Sequence, residues 1–193
     1  ESSPTATAAR SPAARASTDL PFRVIAVPWA ITSVPGMRDK SCVRSSVIPE
    51  THFARFTTPK YQNDNPLQRA LIRRFVARLG LMFLDACPVT SVLEVGCGQG
   101  FVLGWLSERF PSTRFVGVEL SADDLAQCAR EFPRIETCCG SAYDLGRLTG
   151  QHFDLVLCAE VLEHLDRPLA ALDQMLALSP SQLILTVPHE PWF

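Results

Sequence analysis

Ser91-Val92-Leu93-Glu94-Val95-Gly96-Cys97-Gly98-Gln99-Gly100 is an apolar run with one carboxylate that ends in three glycines at alternate positions. A helical pattern, Phe101 to Phe110, follows at once. Strand, tight turn and helix N-terminus in that order present backbone N–H groups to a ligand. Glycine suits such a turn because a ligand can touch backbone without meeting a Cβ. The spacing is G-x-G-x-G rather than the G-x-G-x-x-G of dinucleotide-binding turns, which argues against NAD. Glu119 closes a second apolar run, Phe115-Val116-Gly117-Val118, twenty-three positions after Gly96. A carboxylate at the tip of the second strand of a β-α-β unit lies beside the first turn, placed to accept hydrogen bonds from a ribose diol. The predicted ligand therefore contains adenosine.

Outward from this unit the chain alternates strand and helix. The pattern predicts strands near 91–95, 114–119, 134–139, 153–158 and 182–187, and helices near 99–109, 121–131, 142–148 and 168–178. Ser121, with Asp124 three residues later, marks a helix start. Near-continuous apolar strands joined by helices imply an α/β fold with a doubly wound parallel sheet. Right-handed crossovers then bring every strand's C-terminal end, and the site, to one edge.

Towards the N-terminus the pattern fades. Residues 1–56 read as a disordered or linker-like segment, with Ala, Ser, Thr, Pro and Arg prevailing over the first 36 residues and no lasting periodicity. The folded domain is expected over 57–193, with its core at 91–193. Asn65-Pro66 followed by Leu67, Leu71, Phe75 and Leu79 gives an amphipathic helix with an N-cap and a proline in its first turn. Arg69, Arg73, Arg74 and Arg78 fall off that apolar stripe, either as a solvated basic face or as a gate over the site.

Bulk properties exclude several classes. With 193 residues and 47% hydrophobic content the chain can bury one domain plus an appendage. No stretch approaches the ~18 apolar residues of a membrane span, and the run from Val24 to Ile31 is broken by Pro28. The net charge of −2 is uneven: residues 1–80 carry twelve Lys/Arg against five Asp/Glu, residues 81–193 six against fifteen. An acidic second half makes nucleic acid an unexpected partner. Seven cysteines form no C-x-x-C pair, and adjacent Cys138 and Cys139 would point to opposite faces of a strand. Reduced, mostly buried thiols in a cytoplasmic setting are expected.

The L-E-V-G-C-G-Q-G turn with an acidic second strand end resembles the first motifs of class I S-adenosylmethionine-dependent methyltransferases, in particular the small-molecule, ubiquinone-biosynthesis-like group. The resemblance covers about 91–193 and implies a Rossmann-like fold with S-adenosylmethionine as cofactor and a small-molecule acceptor. It implies that Glu94 organises the methionine end, that Gly96, Cys97, Gly98 and Gly100 cradle the cofactor, that Glu119 holds the ribose hydroxyls and that Leu120 packs on adenine. Ser141, with Ala142 beside it, stands where the family frequently has an acidic residue for the adenine amino group. Ser179-Pro180-Ser181-Gln182 replaces a Pro-Gly-Gly turn. Family members usually add two more strands, one antiparallel. The sequence stops at Phe193, so a C-terminally truncated sheet with a bare fifth-strand edge is expected.

Phe153 to Leu165 holds the second motif. Ala159 would lie under the methyl-donor end. If Glu160-Val161-Leu162-Glu163-His164 turns as an α-helix, Glu160, Glu163 and His164 share a face. Three readings stay open: a brace for the rim, Glu163 and His164 as catalytic residues with the imidazole as general base, or an E-x-x-E-H metal set of the kind some relatives use. His189 would end the fifth strand on the same edge. Two rivals to a methyltransferase remain, a nucleotide-dependent oxidoreductase and a truncated or degenerate cofactor-binding module without turnover.

Overall fold

The computed structural model describes residues 48–86 and 88–187, and the backbone of residues 23–26. Its strands are β1 (Arg23–Ala26), β2 (Ser91–Val95), β3 (Arg114–Glu119), β4 (Ile135–Cys139), β5 (Leu155–Ala159) and β6 (Gln182–Thr186). They form one sheet in the order β1-β6-β5-β2-β3-β4, and every pairing is parallel. The helices are α1 (Glu50–Phe53), α2 (Pro59–Gln62), α3 (Pro66–Ala86), α4 (Phe101–Arg109), α5 (Ala122–Glu131) and α6 (Pro168–Ala177). Single 3-10 turns span Gly146–Leu148 and Leu162–His164.

Strand residues alternate between two cores, as a pleated sheet covered on both faces requires. Val92, Phe115, Leu155, Leu157 and Ile184 meet α3, α4 and α5 on one face. Leu93, Val95, Val116, Val156, Cys158 and Leu183 meet Leu148, Phe153 and the α6 residues Ala171 and Met175 on the other. The helix starts follow the sequence signals. Asn65 Oδ1 accepts from the Leu67 and Gln68 N–H groups, and Ser121 Oγ from that of Asp124.

Four expectations need correction. First, a strand, β1, arises inside the segment read as linker and pairs in register with β6, from Arg23↔Gln182 to Ala26↔Leu185. The outer edge of the fifth predicted strand is therefore paired rather than bare, which removes a row of unmet backbone groups. Second, Ile48, His52, Phe53 and Phe56 are buried, so the packed domain begins before residue 57. The remainder of 1–47 lies outside the described residues, as do Cys42, Cys87 and His189. Third, residues 142–148 form no α-helix. Ser141 Oγ accepts from the Tyr143 N–H and Asp144 Oδ1 from that of Gly146, and these local bonds compete with a helical ladder. Fourth, the arginines of α3 are not all solvated. Arg69 bonds Glu50 and Asp64, and Arg73 bonds Glu50 and the Ile48 carbonyl, so both tie α3 to the α1 segment. Cys97, Cys128, Cys138, Cys139 and Cys158 are free thiols. Among the described residues no helix is long and apolar enough to cross a membrane.

Candidate functional site

The turn after β2 is fixed by backbone. Gly96, Gly98 and Gly100 have φ of 78°, 52° and 83°, all in the left-handed region. The Gly96 and Cys97 N–H groups both donate to the Val118 carbonyl, at 2.7 and 3.0 Å, which binds the turn to β3. At Gly96 an added Cβ would lie 2.4 Å from Val161 Cγ2, and at Gly100 2.6 Å from Cys128 Sγ. Those two positions need glycine because the protein's own side chains press on them. Gly98 is different: nothing stands within 4 Å of its Cβ direction. It is the glycine a ligand can approach, so the sequence argument for close approach applies at that position.

Two carboxylates flank the turn. Glu119 Oε2 accepts from the Gly98 N–H at 3.1 Å, and Oε1 from the N–H groups of Leu120 and Ser121 at 2.7 and 3.0 Å. Glu94 comes off the face of β2 that meets α4 and is only 3% exposed. Its Oε2 is buried without a hydrogen-bond partner. Burial lifts its carboxyl well above the usual range, Cys128 and Glu119 add to the effect, and the Leu103 N–H opposes it. A buried acceptor with nothing to accept from is the kind of group a bound N–H satisfies.

The residues expected on the nucleoside side follow the ends of β3 and β4. Leu120 is 71% exposed beside Glu119, and Cys139 Sγ lies 3.7 Å from the Leu120 carbonyl. Ser141 is half-buried with its hydroxyl engaged by Tyr143, and Ala142 packs against the second core. Ala159, at the end of β5, is half-buried against the first core.

The segment after β5 departs from the α-helical expectation. Glu160 takes φ 57°, a left-handed conformation uncommon outside glycine, and its N–H donates to the Thr186 carbonyl. Its Oε1 accepts from Thr186 Oγ1 at 3.2 Å. Burial and Glu163 raise its carboxyl, while Thr186, Lys60 and His164 act the other way. The helical turn starts only at Leu162 and is 3-10, so Glu160, Glu163 and His164 do not line one α-helical face. The His164 side chain is 75% exposed, with Nε2 3.8 Å from Glu163 Oε1. Among the described residues no three His, Cys, Asp or Glu side chains converge to hold a metal ion.

Sequence reasoning missed the cap over the turn. Around Phe101, the first residue of α4, gather His52, Phe53, Phe56 and Tyr61. His52 Nε2 donates to the Phe101 carbonyl at 2.9 Å, and burial lowers its pKa, which keeps the ring neutral. The Tyr61 ring lies flat on Phe101, with centroids 3.9 Å apart and planes 2° from parallel. Gln99 clamps the segment from the turn's side. Its amide oxygen accepts from the Thr57 N–H, and its amide nitrogen donates to Thr57 Oγ1 and Asp124 Oδ1. The available signal was the aromatic spacing His52-Phe53-x-x-Phe56 with Tyr61, in a stretch too short for a periodicity argument.

With this geometry in place, the relatives can be compared. Residues 92–179 match the family described as a methyltransferase domain. Two curated methyltransferases agree. The mitochondrial ubiquinone biosynthesis O-methyltransferase of Saccharomyces cerevisiae is 33% identical over 129 residues, which are 63% of this chain and 38% of that protein. Trans-aconitate 2-methyltransferase of Azoarcus sp. is 32% identical over 78 residues, 40% of this chain and 31% of that protein. The chain thus spans about a third of the length of these relatives. In fold it is similar to a solved amino pentose methyltransferase from Micromonospora echinaspora with SAM bound. That pairing has a TM-score of 0.50 and 24% identity, and covers 60% of this chain and 50% of that one.

Proposed function

We propose that this chain binds S-adenosylmethionine on the turn after β2 and transfers its methyl group to a small-molecule acceptor. The observation that carries the reading is the orphaned, buried Oε2 of Glu94 beside the open Gly98. The ligand's methionine end offers an ammonium that such an oxygen would accept from, and a carboxylate suited to the N-terminus of α4. The names of two curated relatives, both methyltransferases, and the family match over residues 92–179, which include the glycine turn, support the same donor. When bound, the cofactor supplies a methyl group already activated on a sulfonium.

The chain's own residues then divide the work. Glu94 and the turn of Gly96, Cys97, Gly98 and Gly100 orient the methionine end. Glu119 keeps acceptor capacity for ribose hydroxyls beyond its three backbone bonds, since a carboxylate offers about four lone-pair sites. Leu120 and Ala142 supply apolar surface for the adenine, and Ser141 a hydroxyl in place of a charge. Ala159 leaves room at the end of β5 for the reacting atoms. Glu163 and His164 brace the rim of the acceptor side. Holding donor and acceptor in line supplies most of the rate, because the donor needs no further activation. The five free thiols among the described residues fit a reducing compartment such as the cytoplasm.

Calorimetric titration with S-adenosylhomocysteine and, separately, NADH tests this reading. Binding of the first and not the second is expected. The opposite pattern would make the protein an oxidoreductase. Binding without turnover in a chain carrying the relatives' full length would make it a cofactor-binding module.

A further inference from the structure

Gln99 stands between Gly98, the glycine a ligand can approach, and Gly100, the N-cap of α4. Its side chain makes three hydrogen bonds. Oε1 accepts from the Thr57 N–H at 2.9 Å, and Nε2 donates to Thr57 Oγ1 and to Asp124 Oδ1, both at 2.8 Å. The partners fix which end of the amide is which, since an N–H only donates and a carboxylate only accepts. Both amide hydrogens are then used. One side chain therefore joins the glycine turn to the cap at residues 52–61 and to the first turn of α5.

The first half of the turn is tied to β3, through the Gly96 and Cys97 N–H groups on Val118 and that of Gly98 on Glu119. The second half begins and ends on left-handed glycines, Gly98 and Gly100, and glycine gives up more freedom on ordering than any other residue. Gln99 carries the side chain that can anchor this stretch. With its amide pinned, the peptides on either side of it are ordered before a ligand arrives, and a ligand that meets an ordered turn loses less entropy on binding. The far end of the clamp is fixed as well. Thr57 follows Phe56, which is buried against Phe101, and Gln127 Nε2 of α5 donates to the Arg55 carbonyl at 2.7 Å.

We propose that Gln99 is a positioning residue for the cofactor: its amide latches the cap to the glycine turn and so pre-organises Gly98 for the methionine end of S-adenosylmethionine. Gln99 acts through Gly98 and has no need to touch the ligand. Cap and ligand then favour each other on the turn, because coupling between two binding events is reciprocal. The residue type follows from the partners. A glutamate at this position has no hydrogen for Asp124 and sets two carboxylates against each other, whereas the Thr57 N–H and hydroxyl can still donate to it. The inference rests on the donor reading and adds to it what holds the turn ready.

Surface plasmon resonance of the intact protein with S-adenosylhomocysteine tests the latch. Gln99→Ala should weaken binding about tenfold, the worth of one hydrogen bond to a charged group, chiefly through faster dissociation. Gln99→Glu should weaken it comparably, because the new carboxylate faces Asp124. Adding Asp124→Asn returns the missing hydrogens from the other side. Affinity in the Gln99→Glu/Asp124→Asn protein should therefore recover to within about twofold of the parent, a coupling that two independent substitutions would not show. S-adenosylhomocysteine should also slow hydrogen exchange at the Thr57 amide in the parent and not in Gln99→Ala. Parent-like affinity in Gln99→Ala, or no recovery in the paired variant, would overturn the proposal. If Gln99→Ala fails to fold, Gln99→Glu and its rescue decide alone. A parent that binds no S-adenosylhomocysteine would overturn the donor reading and the latch with it, whereas binding that Gln99→Ala leaves unchanged would overturn the latch alone.

Discussion

The turn after β2 and the turn after β5 sit side by side on one sheet edge, yet they are built by different means. The first is backbone: three glycines in the left-handed region, two N–H groups on one carbonyl, and neighbouring side chains pressed against Gly96 and Gly100. The second is side chain: Glu160 holds its own left-handed conformation through Thr186, and His164 stands in solvent. A site for an invariant ligand can be cast in backbone, where few substitutions are tolerated. A site for a partner that differs among relatives is better made from side chains, which can be exchanged without moving the sheet.

Substitutions can break or sharpen that contrast. The largest effect is expected at the backbone turn. Gly96→Ala adds a Cβ 2.4 Å from Val161 Cγ2 at a strained φ, so unfolding free energy should fall by about 3 kcal/mol and S-adenosylhomocysteine binding should vanish. Denaturant titration with calorimetry reads both. Glu119→Ala strips three backbone N–H groups of their acceptor. It should lower stability by about 2 kcal/mol and weaken S-adenosylhomocysteine at least about tenfold.

Glu94→Gln should behave in the opposite sense for the free protein. The Glu94 carboxyl is raised in the folded state, so its contribution to stability is fully present below the unfolded value of about 4.3 and is lost as pH rises towards the folded value. The parent should therefore weaken relative to the glutamine variant as pH climbs from about 4.3, leaving the variant the more stable at neutral pH. Its ligand affinity should nonetheless fall, since the ammonium loses a charged acceptor. A variant less stable than the parent at neutral pH would show that Glu94 is not an uncompensated charge. His164→Ala should do least: within about 0.5 kcal/mol in stability and within twofold in S-adenosylhomocysteine affinity. A large loss there would make the second turn as rigid a device as the first.

What the sequence made legible follows from the range of the forces involved. β2 and β3 match their predicted bounds, and β6 and the helices after them lie within two residues of theirs, because apolar strand runs and helix caps are local signals. The glycine turn and Glu119 were readable for the same reason. Three features were not. β1 is four residues long, and its pairing is decided by β6, more than a hundred and fifty positions away. Residues 142–148 looked helical until Ser141 and Asp144 side chains took the backbone donors. The aromatic cap at 52–61 is held by Phe101 and Gln99, neither of them near it in sequence. In the site, types were legible and directions were not: Glu160 and His164 could be named together, but not that one turns to Thr186 and the other to water.

The pairing of β1 with β6 also orders events in time. Arg23–Ala26 leave the ribosome early, yet their partner, Gln182–Thr186, is among the last segments described. The pairings among β2, β3 and β5 lie between residues 91 and 159, so the strands that carry the glycine turn can join while β1 still waits. Such a distant closure is slow, since the ends of a long loop must find each other first. In folding kinetics β1 should therefore report a late phase, with protection of its amides from hydrogen exchange trailing that of β2.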